Sequence, residues 1–248
     1  MNNDIVTGRN PVLEALRSGR DINKIFVAEG AQKGSIGQVI SQAKKERIQV
    51  QYVPKKKLDA LAEGVNHQGV LAYVAAYDYA DIEDVFDLAK KRDEDPFFLV
   101  LDEIEDPHNL GSILRTADAA GAHGVIIPKR RAVGLTSAVA KASTGAIEYV
   151  PVVRVTNIVR TIEDLKARGV WFVATDAKGD QDYTAAQYDM PIGLVIGSEG
   201  KGIGRLVKEK CDFLVSLPMK GKVTSLNASV AAGLLMYEVF RQRRSSGA

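Results

Sequence analysis

Six short apolar runs recur through the later part of this chain, at 97–101, 124–127, 150–153, 170–174, 192–196 and 213–217, and most of the segments between them carry helical patterning. Runs of this length suit strands covered on both faces better than they suit helices. Their alternation therefore predicts an α/β fold built on a largely parallel sheet with helices on either side. In open sheets of this kind ligands gather beyond the carboxyl ends of the strands. The loops that follow these runs are where function is to be sought.

The preceding part reads as a separate, smaller α/β unit. Asn10-Pro11 has the form of an N-cap followed by proline at the first helical position, with Gly19 as the stop. β-rich runs follow at 24–28, 48–53 and 70–76, with helical patterns at 36–45 and 56–62 between them. The expected division is a domain over 1–76, an acidic connector over 77–95 and a larger domain over 96–248. Charge supports it, since residues 1–78 carry net +3, residues 79–95 net −4 and residues 96–248 net +3. The connector has apolar positions at Ile82, Val85, Phe86, Leu88 and Ala89, read as a linking helix rather than a core element.

At 248 residues and 46% hydrophobic, the chain is long enough to bury a core and too apolar for a disordered one. No apolar run reaches the roughly 18 residues of a membrane span and no signal core follows Met1, so a cytoplasmic protein without a membrane partner is expected. Cys211, the single cysteine, has no disulfide partner in the chain and reads as a part-buried apolar residue at a helix end. His67, His108 and His123 lack metal-ligand spacing, and no metal site is expected.

Four loops follow strand-like runs and carry unusual chemistry. The one after 192–196 holds Gly197, Gly200, Gly202 and Gly204 around Glu199, which permits close backbone approach to a ligand. It fits neither phosphate-binding fingerprint, because Arg205 stands where the dinucleotide motif needs glycine and Ile203 where the P-loop needs lysine. Thr175-Asp176-Ala177-Lys178-Gly179 and the segment 218–227 form two further loops, expected to converge with it on one pocket. The fourth, 102–111, contains Asn109 at a place suited to an N-cap. Beyond it Arg115 is the only basic residue from 103 to 128; it is read either as an ion pair with Asp118 or as a packed arginine oriented bidentately by Glu199. His67 is left as a turn cap or a base contact, and Tyr73, Tyr77 and Tyr79 as half-buried packing or stacking platforms. Lys55-Lys56-Lys57 and Lys129-Arg130-Arg131 are solvated faces or phosphate contacts.

Three stretches together resemble the motifs of the SpoU, or TrmH, RNA 2′-O-methyltransferases: Asp106-Pro107-His108-Asn109-Leu110-Gly111-Ser112-Ile113-Leu114-Arg115-Thr116-Ala117, Leu194-Val195-Ile196-Gly197-Ser198-Glu199-Gly200 and Ser225-Leu226-Asn227-Ala228-Ser229-Val230-Ala231. Gly8-Arg9-Asn10-Pro11-Val12 and His67-Gln68-Gly69-Val70 resemble the substrate-binding domain of the bacterial 23S rRNA guanosine-2′-O-methyltransferase branch. The resemblance implies a SPOUT-type fold with a C-terminal trefoil knot, S-adenosylmethionine as methyl donor, a homodimer with sites at the subunit interface, and 23S rRNA or a precursor ribosomal particle as partner. It assigns Thr175, Gly197, Leu217 and Leu226 to the cofactor, and Arg115, Asn109, Glu199, Ser225 and Asn227 to catalysis. Arg9, His67, Gln68 and Arg130 are expected to contact RNA. A tRNA ribose methyltransferase and a non-catalytic RNA-binding protein on the same fold remain the alternatives.

Overall fold

The computed structural model describes residues 5–17, 20–31, 35–177, 179–222 and 225–246. Gly19, Lys178, Val223 and Thr224 lie outside them. The chain divides into two compact units, the first comprising Met1–Asp78 with Gly134–Ser137, the second Tyr79–Val133 with Ala138–Ala248.

In the first unit the chain runs β1 (Ile5–Thr7), α1 (Arg9–Arg17), β2 (Ile22–Ala28), α2 (Ser35–Lys45), β3 (Val50–Val53), α3 (Lys55–Leu61) and β4 (Val70–Val74). The sheet order is β1-β4-β2-β3, with β2 and β3 parallel and β4 antiparallel to its two neighbours. Period-two alternation explains how both faces are covered. Ile25 and Val27 of β2, with Val70, Ala72 and Val74 of β4, join the cluster that includes Val12, Leu16, Ile36 and Val39, whereas Phe26, Ala28 and Leu71 pack with Leu58 and Ala62. Asn10 is not a cap, since α1 already begins at Arg9 behind Gly8, whose φ of 101° makes the turn.

The remaining elements are α4 (Ile82–Arg92), β5 (Phe97–Asp102), α5 (Pro107–Ala119), β6 (Gly124–Pro128), α6 (Ser137–Ser143), β7 (Val152–Val155), α7 (Ile158–Lys166), β8 (Trp171–Thr175), β9 (Gln181–Asp182), β10 (Ile192–Gly197), α8 (Arg205–Lys210), β11 (Phe213–Ser216) and α9 (Ala228–Ser246). Seven strands align in the order β7-β6-β5-β10-β8-β11-β9, and every pairing is parallel. The six apolar runs all supply strands of this sheet, and the non-sequential order is consistent with a knotted SPOUT topology. β10 inserts between β5 and β8, which makes the carboxyl ends of β5 and β10 a switch point of the kind that opens a ligand crevice.

The core also explains a glycine in mid-strand. Gly193 pairs with Phe98 on one side and Phe172 on the other, and the two rings meet edge to face at 6.0 Å. A Cβ on Gly193 would come within 2.6 Å of the Phe172 ring, so the aromatic pair fills the space that a side chain there would need. The same cluster takes in Val85 of α4, and Ala89 on that helix is also buried. The helix expected as a connector is therefore part of the second unit's core. Cys211 is part-buried at the end of α8, and burial pushes its thiol up to about 12.

Candidate active site

Beyond the carboxyl ends of β8, β10 and β11 lies a cavity of about 650 Å³, whose wall is completed by residues leading into α9. Thr175, Gly197, Leu217 and Leu226 all line it, as do Glu199 and Ser225. The loop after β5 lines an adjoining cavity of about 330 Å³, and Ser198, Glu199, Gly200 and Lys201 face both spaces.

The glycine loop takes its shape from one close approach and one left-handed residue. The Gly202 amide donates to the Ser198 carbonyl at 2.8 Å, folding the loop back on itself. A Cβ on Gly197 would collide with the backbone of Gly202 and Ile203, so position 197 admits no side chain. Of the four glycines only Gly202, with φ 66°, needs positive φ. The Gly204 amide, at the start of α8, donates to Asp102 Oδ2 at 2.8 Å and ties the loop to the end of β5.

Glu199 is the hub of the site. Its Oε1 accepts from Asn109 Nδ2 at 3.1 Å, from the Ala228 amide at 3.2 Å and from Asn227 Nδ2. Asn227 Nδ2 is also 2.9 Å from Asn109 Oδ1. Asn227 Oδ1 accepts from the Ser229 amide, the Ser229 hydroxyl and the Val230 amide at 3.0, 2.6 and 3.3 Å, capping α9. Three segments remote in sequence are thus joined through one carboxylate oxygen. Among the described residues Glu199 Oε2 has no partner, so it remains open as an acceptor.

Asn109 reaches this network because it does not cap α5. That helix starts one turn earlier, at Pro107, with Asp106 Oδ1 accepting from the His108 amide at 2.8 Å. Arg115 departs from both of its expected settings. It is exposed, and among the described residues neither Asp118 nor Glu199 pairs with it. The helix turns Leu110, Gly111, Ile113, Leu114 and Ala117 inward, and the Cβ of Ala142 takes up the space beside Gly111, which leaves Arg115 on the outer face. Its helical neighbour Thr116 packs on Gly233 of α9. Along α9, Val230, Leu234, Tyr237 and Phe240 are exposed apolar residues spaced three or four apart.

Residues to which the sequence assigned no site role support these loops. Glu103, a non-glycine with φ 58°, accepts from Arg131 Nη1 at 2.7 Å and from Lys201 Nζ at 3.2 Å, and these cations hold its carboxyl below the usual range. The Ile104 carbonyl accepts from the Val133 amide at 2.9 Å. Asp176 accepts from Lys208 Nζ at 2.6 Å. Asp102 and Glu103 were findable, because they follow the apolar run 97–101 in a loop placed beyond a strand's carboxyl end. Arg130 is exposed in the loop after β6.

The first unit has a cavity of its own, about 500 Å³, lined in part by Arg9, Lys55, Asn66, His67 and Gln68. His67 is buried, with Nδ1 accepting from the Gly69 amide at 2.9 Å and Nε2 facing Asp59 Oδ1 at 2.8 Å. The amide fixes the tautomer: Nε2 carries the proton and donates to Asp59. One ring nitrogen is spent on the turn and the other on Asp59 of α3, so neither is left for a base. Tyr73 packs edge to face on Phe26 at 5.7 Å, as half-buried strand tyrosines do. His123 is wholly buried, with Nδ1 accepting from the Phe97 amide at 3.0 Å and Nε2 at 2.9 Å from Glu94; burial depresses its pKa despite that carboxylate. Its role is structural.

Residues 96–237 match the SpoU rRNA methylase family and residues 5–80 match the RNA 2′-O ribose methyltransferase substrate-binding domain. A Bacillus subtilis protein named as a TrmH family tRNA/rRNA methyltransferase, YacO, is 63% identical over 98% of both chains. A namesake from Staphylococcus saprophyticus is 55% identical over 100% of this chain and 99% of its own. Among solved structures, the SpoU methyltransferase AviRb from Streptomyces viridochromogenes, in complex with AdoMet, superposes with a TM-score of 0.62 at 28% identity, covering 97% of this chain and 90% of that one. The A. aeolicus TrmH/SpoU tRNA modifying enzyme gives 0.56 at 28% identity, over 66% of this chain and 85% of its own.

Proposed function

From a chain that belongs to the SpoU rRNA methylase family and is thereby an S-adenosylmethionine-dependent RNA ribose methyltransferase, we infer that the acceptor is the 2′-hydroxyl of a guanosine in 23S rRNA. The protein acts in the cytoplasm, on free rRNA or an assembling particle. The observation that carries the catalytic part is the joining of Asn109, Glu199 and Asn227 beside a cavity lined by Thr175, Gly197, Leu217 and Leu226.

The cavity suits S-adenosylmethionine. Ile196, Leu217 and Leu226 offer apolar wall for an adenine, Gly197 lines the space where the loop folds back on it, and the Glu199 carboxylate suits a sulfonium. Bound there, the cofactor supplies an electrophilic methyl group. The protein's task is to bring a ribose oxygen into line with it and to stabilise the charge that develops as the hydroxyl proton leaves. Asn109 and Asn227 hold Glu199 in one orientation, and Ser225 faces the same space. A guanidinium stays protonated, so Arg115 serves as an anion holder for the ribose oxygen or its phosphate rather than as a base.

Arg115 lines neither cavity of its own chain. It works across a homodimer, reaching the partner's pocket. Its exposed place on α5, beside a helix bearing an exposed apolar stripe, supports that arrangement. The rRNA reading is favoured over the tRNA reading by extent. The A. aeolicus tRNA modifying enzyme covers only 66% of this chain, whereas residues 5–80 here match a dedicated RNA-substrate domain. The test is a map of ribose methylation in rRNA and tRNA from cells with and without the gene. Loss of one 2′-O-methylguanosine from 23S rRNA is expected; loss of a base methylation, or of a tRNA mark alone, contradicts the reading.

A further inference from the structure

The cavity of the first unit has an unusual polarity. Asn66 Oδ1 accepts from the Gln68 amide at 3.2 Å, and Gln68 Oε1 accepts from the Arg9 amide at 3.2 Å, so both carboxamides spend their oxygens on the main chain, and among the described residues their NH₂ groups have no partner. Arg9 Nε donates to the Gln68 carbonyl at 2.9 Å, which fixes the guanidinium, and among the described residues its terminal nitrogens have no partner. Lys55 has no carboxylate partner among the described residues. His67 is committed on both nitrogens, and Asp59 spends one oxygen on it. Among the described residues, and apart from the second oxygen of Asp59, the uncommitted side-chain groups around this space are therefore donors.

The loop is also held in an uncommon shape. Gln68 and Glu63 are non-glycine residues with φ near 50°, flanked by Gly69 at 85° and Gly64 at 86°. Left-handed non-glycine residues concentrate where the surroundings force a geometry that a ligand uses. At about 500 Å³ the space falls within the roughly 300–1,000 Å³ range of small-ligand sites.

We propose that this cavity receives one unpaired nucleotide of the RNA, its phosphate between Arg9 and Lys55 and an acceptor-bearing base edge against the free amides of Asn66 and Gln68. A ring of donors selects acceptors, and an unpaired nucleotide presents both phosphate oxygens and base-edge acceptors such as guanine N7 and O6. His67 is a positioning residue that sets the turn carrying Asn66 and Gln68. The proposal rests on the reading of the first unit as the RNA-binding part.

The test is fluorescence anisotropy of a labelled single-stranded RNA oligonucleotide with the full-length protein. Asn66→Asp and Gln68→Glu each keep the oxygen that holds the loop and exchange a free NH₂ for an anionic oxygen. A purely structural role leaves RNA binding unmoved, whereas a donor role costs about tenfold or more in Kd for each, with cofactor affinity and thermal midpoint unchanged. Lys55→Ala provides a second arm: weaker binding, with the slope of log K against log salt reduced by about one. RNA binding at wild-type strength in all three variants overturns the cavity assignment alone. A wild-type protein that binds no RNA overturns the reading of the unit as well.

Discussion

The two cavities use the same side-chain chemistry in opposite ways. In the second unit the carboxamides of Asn109 and Asn227 are bonded to each other and to Glu199, and Asn227 also caps α9. In the first, Asn66 and Gln68 spend only their oxygens on partners among the described residues. A committed network stays rigid and costs no reorganisation when charge develops, which is what a reacting centre needs. Uncommitted donors bind whatever supplies acceptors, which is what a gripping surface needs. The difference is what the proposed division of chemistry and recognition along the chain rests on.

The strongest way to break this division is at Arg115. Arg115→Ala is expected to lower kcat for methyl transfer by about a hundredfold to a thousandfold while S-adenosylmethionine affinity, measured by calorimetry, stays within about threefold. Equal loss of both would put the residue in the cofactor pocket and not on the acceptor. Mixing Arg115→Ala with an inactive Glu199→Gln protein sharpens the point. If the arginine acts across a dimer, mixed dimers regain part of the activity.

A smaller and opposite effect is expected at Gly197. An added Cβ meets the backbone of Gly202 and Ile203, so Gly197→Ala is expected to lower stability by about 1–3 kcal/mol in thermal melts and to weaken cofactor binding by displacing the loop. RNA binding by the first unit should not change.

The smallest effect lies outside both cavities. Burial lowers the pKa of His123 below the ordinary 6.5, so below that pH the unfolded chain takes up a proton that the folded one resists. The contribution of His123 to stability is complete above pH 6.5 and declines as the pH falls toward its depressed folded value. Thermal melts should show this slope, and His123→Asn should flatten it while sparing activity at pH 8.

Much of this was legible in the sequence. The six apolar runs marked the strands, and the rule that ligands sit beyond strand ends chose the loops that line the larger cavity. β1 and β9 escaped, because three- and two-residue strands carry no periodic signal. For Asn109 a cap and a site role both stood open, although Asp106-Pro107 carries the stronger helix-start signature and leaves Asn109 free of the cap. The partner of Glu199 was not legible at all. Arginine and two carboxamides are all plausible donors to a carboxylate, and only the packing of α5 against α6 at Gly111 and Ala142 decides which of them faces it. The helix at 82–92 looked like a connector because its charge is visible in sequence and its seat against Phe98 is not.

The division of labour is tested most directly by measuring methyl transfer to 23S rRNA as a function of RNA concentration for Gln68→Glu beside the wild-type protein, at saturating S-adenosylmethionine. The account expects KM for RNA to rise about tenfold or more with kcat essentially unchanged, since the chemistry resides in the other unit. A fall in kcat with KM intact would place the first unit's cavity in the chemical step and contradict it.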